Sequence, residues 1–211
     1  MPFFVPLIST LETGLLGFKI PAMQTLLDYM DSIHPLSLTL REYLTQILKE
    51  RHFLKREYLL KAGHICRSIC FVEKGLFRCF YHKGEHEVCS WFMREGEVIV
   101  SVESFFEQRE SYESIQALED SAVYYIQHSE LEHLYRAYPE FNFIARVLLQ
   151  KYYTLSEQRL YAMRLQSAGE RYHYLLENEP ELVLRVSNTD LASYLGISRE
   201  TVSRIRGVLR R

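Results

Sequence analysis

Residues 187–211 read SNTDLASYLGISRETVSRIRGVLRR. Ser187, followed three residues later by Asp190, has the spacing of a capping box, which starts a helix that runs through Leu195. Gly196 breaks that helix, because a tight turn needs a residue that tolerates positive φ. Ser198 then caps a second helix reaching about Leu209. Two short helices joined in this way must bury apolar residues at fixed places. Ala192 is small where they cross, and Leu195, Ile197, Val202 and Ile205 fill the junction. The combination is the helix-turn-helix layout, whose second helix presents its first side chains to base edges in the DNA major groove.

With Val202, Ile205 and Leu209 turned inward, Arg199, Glu200, Ser203 and Arg204 face out near the start of the second helix. Ser198 and Thr189 stand close by at the two helix starts, and Arg206 and Arg210 are available to phosphates. An arginine can bond guanine O6 and N7 as a fork, and a glutamate can accept from the cytosine amino group. The plainer alternative is an exposed Glu200–Arg204 pair at i, i+4, worth about 0.2 to 0.5 kcal/mol. Charge distribution favours the first reading. The chain is −2 overall, but from Arg185 onward six arginines face Asp190 and Glu200, so this stretch is +4 and the rest −6. A basic end on an acidic body is the asymmetry expected where one small region meets a polyanion.

Upstream, Gly169 to Leu176 reads as a helix that Pro180 closes, and LVLRV (182–186) as a brief strand. From Glu140 to about Leu165 there is no Gly or Pro, and Pro139 suits a first helical turn. Ile144, Leu148, Leu155 and Ala162 form an apolar stripe, the last three spaced by seven, as in a helix that packs on a partner helix. These four are the expected dimer seam, although Lys151 and Gln158 lie on it too; the alternative is a helix lying across its own domain.

Between about Arg51 and Ile126 the texture changes. Val, Ile, Phe and Tyr dominate, and Ala62-Gly63, Lys74-Gly75, Lys83-Gly84 and Glu95-Gly96 recur at the beat of short antiparallel strands closing into a sandwich or barrel. Helices over Leu36–Leu48 and Glu130–Tyr138 flank this zone. The expected class is therefore α+β: an antiparallel β-roll or jelly roll over 23–138 with flanking helices, a long helix over 139–166 and a helix-turn-helix domain over 167–211. Residues 1–22 are apolar without the features of a secretory signal, and Met23 opens a helical pattern, so they are expected to be a loosely held extension or a mis-set start.

A chain of 211 residues, 47% apolar and 25% charged, excludes disorder, collagen and a coiled-coil rod. No apolar run reaches the length of a membrane span, so no membrane association is expected. Four cysteines and no export signal point to free thiols in a reducing cytoplasm. Cys66, Cys70, Cys79 and Cys89 fall in expected strands as small core residues, without the tight runs that hold iron–sulfur clusters.

A β-barrel, a long helix and a helix-turn-helix in that order, ending in ISRETVSRIR, resemble the cyclic-AMP receptor protein and fumarate-nitrate reduction regulator (CRP/FNR) family over roughly residues 36–211. The resemblance implies a dimeric transcription factor, not an enzyme, that binds double-stranded DNA and RNA polymerase and senses a small molecule in the barrel. Arg199, Glu200 and Arg204 occupy the positions that, in cyclic-AMP-responsive members, contact a TGTGA-like half-site.

The effector region departs from that pattern. After Gly96-Glu97 the chain reads VIVSVESFFEQRESYESIQALED, with no second Gly-Glu-Leu and no Arg-Ser about ten residues on. Val100, Ser101, Ser111 and Tyr112 stand near the family's ligand positions, and Arg109 is the one arginine that could be recruited. Glu103, Glu107, Glu110 and Glu113 crowd the same loop and would repel a phosphate, so the effector is unknown and no tight cyclic-AMP binding is expected. Trp91, Phe92, Phe105 and Phe106 are expected in the barrel core or along an apolar cavity. No cofactor or metal is expected. The competing readings are a metal-dependent barrel enzyme using His82 and His86 across the Lys83-Gly84 hairpin, and a sensor whose helix-turn-helix binds protein. With Arg211 so close behind the second helix, no β-hairpin wing is expected after it.

Overall fold

The structure, a computed structural model, describes residues 22–209, and the side chains of 23–205 among them. The expectations for the stretch up to residue 22, and for the Arg206 and Arg210 side chains, lie outside the described residues and side chains. The order of elements is α1 (Ala22–Ile33), α2 (Leu38–Ile47), β1 (Lys49–Phe53), β2 (Tyr58–Leu60), β3 (Ser68–Lys74), β4 (Phe77–Lys83), β5 (His86–Met93), β6 (Val98–Ile99), α3 (Val102–Glu107), β7 (Glu113–Ala117), β8 (Ser121–Gln127), α4 (His128–Ala137), α5 (Pro139–Leu165), α6 (Ala168–Asn178), α7 (Pro180–Arg185), α8 (Asn188–Leu195) and α9 (Arg199–Leu209).

The strands form two antiparallel four-stranded sheets, in orders β1-β8-β3-β6 and β2-β7-β4-β5. Apolar residues alternate inward along them, so Phe53, Val72, Phe77, Ile99, Ile115 and Val123 meet between the sheets, with Phe53 and Phe77 edge to face at 5.5 Å. Leu40 and Leu44 of α2 close one end of this core. The expected turn glycines 63, 75, 84 and 96 all have positive φ. Gly75 is the demanding one. At φ +99 it lies against Ser121, whose Cα would stand 2.8 Å from a Cβ at this position. This is the expected α+β architecture.

Three sequence readings change. LVLRV is not a strand: Pro180 supplies the first turn of α7, and Leu182 and Val183 are its buried face. Cys66 is buried but precedes β3, while Cys70, Cys79 and Cys89 lie in strands. His82 and His86 do not face one another, because the hairpin register puts His82 opposite Glu87 and Lys83 opposite His86. Both histidines are exposed, and no metal-holding cluster occurs among the described residues.

Helix α5 carries two apolar stripes. The expected seam stripe is buried within its own chain at Ile144 and half-exposed along Leu148, Leu155 and Ala162. A second, more exposed stripe carries Leu149 and Tyr153, 64% and 66% exposed, with Leu160 and Met163 beyond them. These recur at steps of four, seven and three, which is heptad spacing.

A second core joins the two halves. Leu76, Cys89 and Phe92 of the β-roll pack with Tyr172, Leu175, Leu182, Leu191 and Val202 of the C-terminal helices. Around it Arg78 of β4 reaches Asp190 of α8 at 2.5 Å, with both side chains about 14% exposed or less, and also holds Glu87 and Gln116. Arg185 forks onto Glu95 and bonds Glu119. Ser193 of α8 accepts from the Cys89 N–H and donates to the Glu87 carbonyl, both at 2.8 Å. Arg159 of α5 lies between the rings of Trp91 and Tyr194, at 5.1 and 4.2 Å from their centroids.

Candidate nucleic-acid interface and effector cavity

Ser187 caps α8 by accepting from the Asp190 N–H at 3.1 Å, but the Asp190 carboxylate takes the Ser187 hydroxyl and Arg78. One half of the expected capping box is therefore replaced by an ion pair to the β-roll. Gly196 ends α8 at φ +68, its N–H bonding Ser193 and that of Ile197 bonding Ala192. Arg171 of α6 donates to the Leu195 carbonyl at 2.7 Å, placing a cation at the negative end of α8. Ser198 then accepts from the Thr201 N–H at 3.2 Å to open α9. Ala192, Leu195, Ile197, Val202 and Ile205 all lie in or against one cluster, as their spacing requires.

With Val202 fully buried, α9 has a fixed inner face. Arg199, Glu200, Ser203 and Arg204 are all exposed, as are Ser198 and Thr189. Glu200 and Arg204 form no ion pair with one another among the described residues. The Glu200 carboxyl is held below the usual range by its own N–H at the start of the helix and by the Ser198 hydroxyl. It is an anion ready to accept from a base amino group.

An open-mouthed cavity of about 840 Å³ lies between α1, the strands and α5. Val100 and Tyr112, two of the expected pocket residues, line it. Ser101 and Ser111 are buried and satisfy each other, Oγ to Oγ at 3.0 Å, and neither lines the cavity. Arg109 points to solvent and pairs with Glu103 at 2.5 Å. Its guanidinium is engaged by that carboxylate. Of the four aromatics, Trp91 and Phe106 line the cavity, Phe105 is core and Phe92 belongs to the joint between the halves. Tyr152 of α5, which the sequence reading missed, lines it too, its hydroxyl accepting from the Val98 N–H at 2.7 Å. Burial pushes the Cys70 and Cys89 thiols up to about 12, so both stay protonated, as inert core residues do.

A two-sheet β-roll with a cavity, joined by a long helix to a helix-turn-helix with its outer face exposed, defines a class of sensory regulator. Family models agree: the cyclic nucleotide-binding domain matches residues 50–138 and the Crp-like helix-turn-helix domain residues 144–211. The chain belongs to the CRP/FNR family of transcription regulators. Among solved structures it is similar to FixK2 from Bradyrhizobium japonicum, at 21% identity and TM-score 0.66 over 78% of this chain and 85% of that one. It is also similar to the c-di-GMP-responsive global regulator CLP of Xanthomonas campestris, at 18% identity and TM-score 0.64 over 80% and 89%. A CooA variant from Carboxydothermus hydrogenoformans follows, at 17% identity and TM-score 0.62 over 78% and 77%. These likenesses are of fold. No curated protein matches the chain. No helix among the described residues is long and apolar enough to cross a membrane.

Proposed function

We propose that the chain is a homodimeric, cytoplasmic, sequence-specific DNA-binding regulator and not an enzyme, reading a pseudo-palindrome of TGTGA-like half-sites and working with RNA polymerase. In this reading the β-roll takes a small effector other than cyclic AMP. One observation carries it: Arg199, Glu200, Ser203 and Arg204 stand exposed on one face of α9 while Val202 anchors the other. Two forks and an acceptor near the start of a recognition helix are suited to G·C-containing steps. The exposed pair of histidines favours no metal-dependent alternative.

Selection of bound sites from random duplex DNA tests the reading directly. Arg204→Ala is expected to cost about 1 to 3 kcal/mol on the preferred duplex and to relax preference at one base position. Binding titrations on single-base variants of that duplex check it. An equal loss on every sequence would remove base reading from Arg204.

Symmetry requires a seam, and the exposed heptad face of α5 is the one offered. Tyr153→Asp is expected to give a monomer by sedimentation and to abolish cooperative binding to two half-sites, because it sets two carboxylates against each other across the axis. Leu155→Asp, on the less exposed stripe, is expected to lower the melting temperature instead. A dimeric Tyr153→Asp protein would move the seam elsewhere.

A further inference from the structure

The cavity has an uneven wall. At the end formed by β6, α3 and β7 its charged groups are both acidic, Glu103 and Glu113. At the α5 end Arg146 stands at the rim, exposed and stacked 4.7 Å from the Phe143 ring. The rest of the wall is dominated by aromatic and aliphatic side chains, Trp91, Tyr152 and Val100 among them. The mouth is apolar too: Val102, Phe106 and Tyr112 line the cavity and are 58%, 46% and 64% exposed. Such groups face water only at a cost, and a ligand laid against them would relieve it.

Tyrosine hydroxyls, Ser90, Asn142 and Ser156 supply the neutral polar groups of the wall, beside the two glutamates and Arg146. Glu113 offers a carboxylate, tied to the Ser101 hydroxyl, and burial pushes its carboxyl up from the usual range. The Tyr152 hydroxyl already accepts from Val98 and keeps its proton to give. No lysine among the described residues lines the wall, and Arg109, the only arginine in the α3–β7 loop, is paired with the wall residue Glu103. A volume of about 840 Å³ lies within the range that holds one small organic molecule. An anionic group carried to the α3–β7 end would lose water and meet Glu113, while the nearby Arg109 is already paired with Glu103.

We infer that this cavity binds an uncharged, ring-bearing apolar molecule that places a hydrogen-bond donor on Glu113. The inference names the ligand class for the effector site and so rests on the regulator reading above.

Trp91 is the only tryptophan in the chain and lines the cavity, so its emission reports occupancy. The full-length protein is titrated with N-phenyl-1-naphthylamine, which is uncharged, and with 8-anilinonaphthalene-1-sulfonate, which adds a sulfonate to the same skeleton. The uncharged probe is expected to quench Trp91 saturably and to bind at least about tenfold more tightly than the sulfonate. Glu113→Gln is expected to narrow that gap, and Val100→Phe, which intrudes on the cavity without adding a second tryptophan, to weaken binding of the uncharged probe. Equal or tighter binding of the sulfonate, or no saturable binding of the uncharged probe, would overturn the inference. A gel shift on the same preparation keeps the two readings apart. Probe selectivity in protein that retards no DNA sustains the cavity and removes the regulator; retarded DNA with equal binding of both probes does the reverse.

Discussion

Asp190→Ala is expected to lower the unfolding free energy by about 3 kcal/mol, near the low end of what stranding a buried charge costs. Arg78 and Asp190 meet at 2.5 Å with little exposure, one on the β-roll and the other on the first helix of the helix-turn-helix. Removing the carboxylate leaves the Arg78 guanidinium inside with Glu87 at 2.7 Å and Gln116 at 2.9 Å, which is why the loss stays below the full penalty. The Ser187 hydroxyl loses its acceptor as well. Replacing both partners together, Arg78→Leu with Asp190→Leu, is expected to recover most of the loss, since apolar groups of similar volume need no partner. Urea unfolding of the two variants gives the comparison. A change within about 0.5 kcal/mol for Asp190→Ala, the scale of an ordinary surface substitution, would show that the pair is screened by water.

Gly75→Ala is expected to cost more, about 4 kcal/mol, from backbone strain and overpacking together. At φ +99 an L side chain is disfavoured, and the new Cβ would drive into Ser121 of β8, whose backbone Cα is 2.8 Å from it. The Gly75 N–H also donates to Glu95 at 2.8 Å, so the turn cannot open freely. Gly63→Ala is the matched comparison, at φ +81 with nothing within 4 Å of its Cβ position. That variant should lose only about 1 kcal/mol, the conformational part alone. Thermal unfolding of both separates the contributions; equal losses would mean that φ, not the approach of β8, sets the requirement.

The helix-turn-helix was legible because its constraints are local. Ala192, Gly196, Ile197 and Val202 must occur at fixed offsets for two short helices to cross, and the structure places each in that role. The β-roll was legible in its glycine turns for the same reason. The choice of a dimer stripe on α5 is not legible in this way, because the helix is apolar on two sides. Ile144, Leu148, Leu155 and Ala162 make one stripe and Leu149, Tyr153, Leu160 and Met163 another, and periodicity alone cannot say which one meets the rest of the chain. The LVLRV run misled through its branched residues, whose preference for strands yields when Pro180 fixes a first helical turn and the core accepts Leu182 and Val183. The Arg78–Asp190 pair joins residues 112 apart, and nothing near either one announces the other. In the cavity, Val100 and Tyr112 were readable from their loop, whereas Tyr152 enters from a helix that no local pattern ties to that loop.

Because Leu76, Cys89 and Phe92 complete the interior of the C-terminal helices, this recognition unit is not a detachable cassette. An excised fragment would carry an uncovered oily flank where those three side chains belong, and would tend to clump rather than stay dispersed. Grafting its specificity onto another scaffold therefore means transplanting the outward residues of α9 alone, or bringing the supporting β4–β5 ribbon along with them.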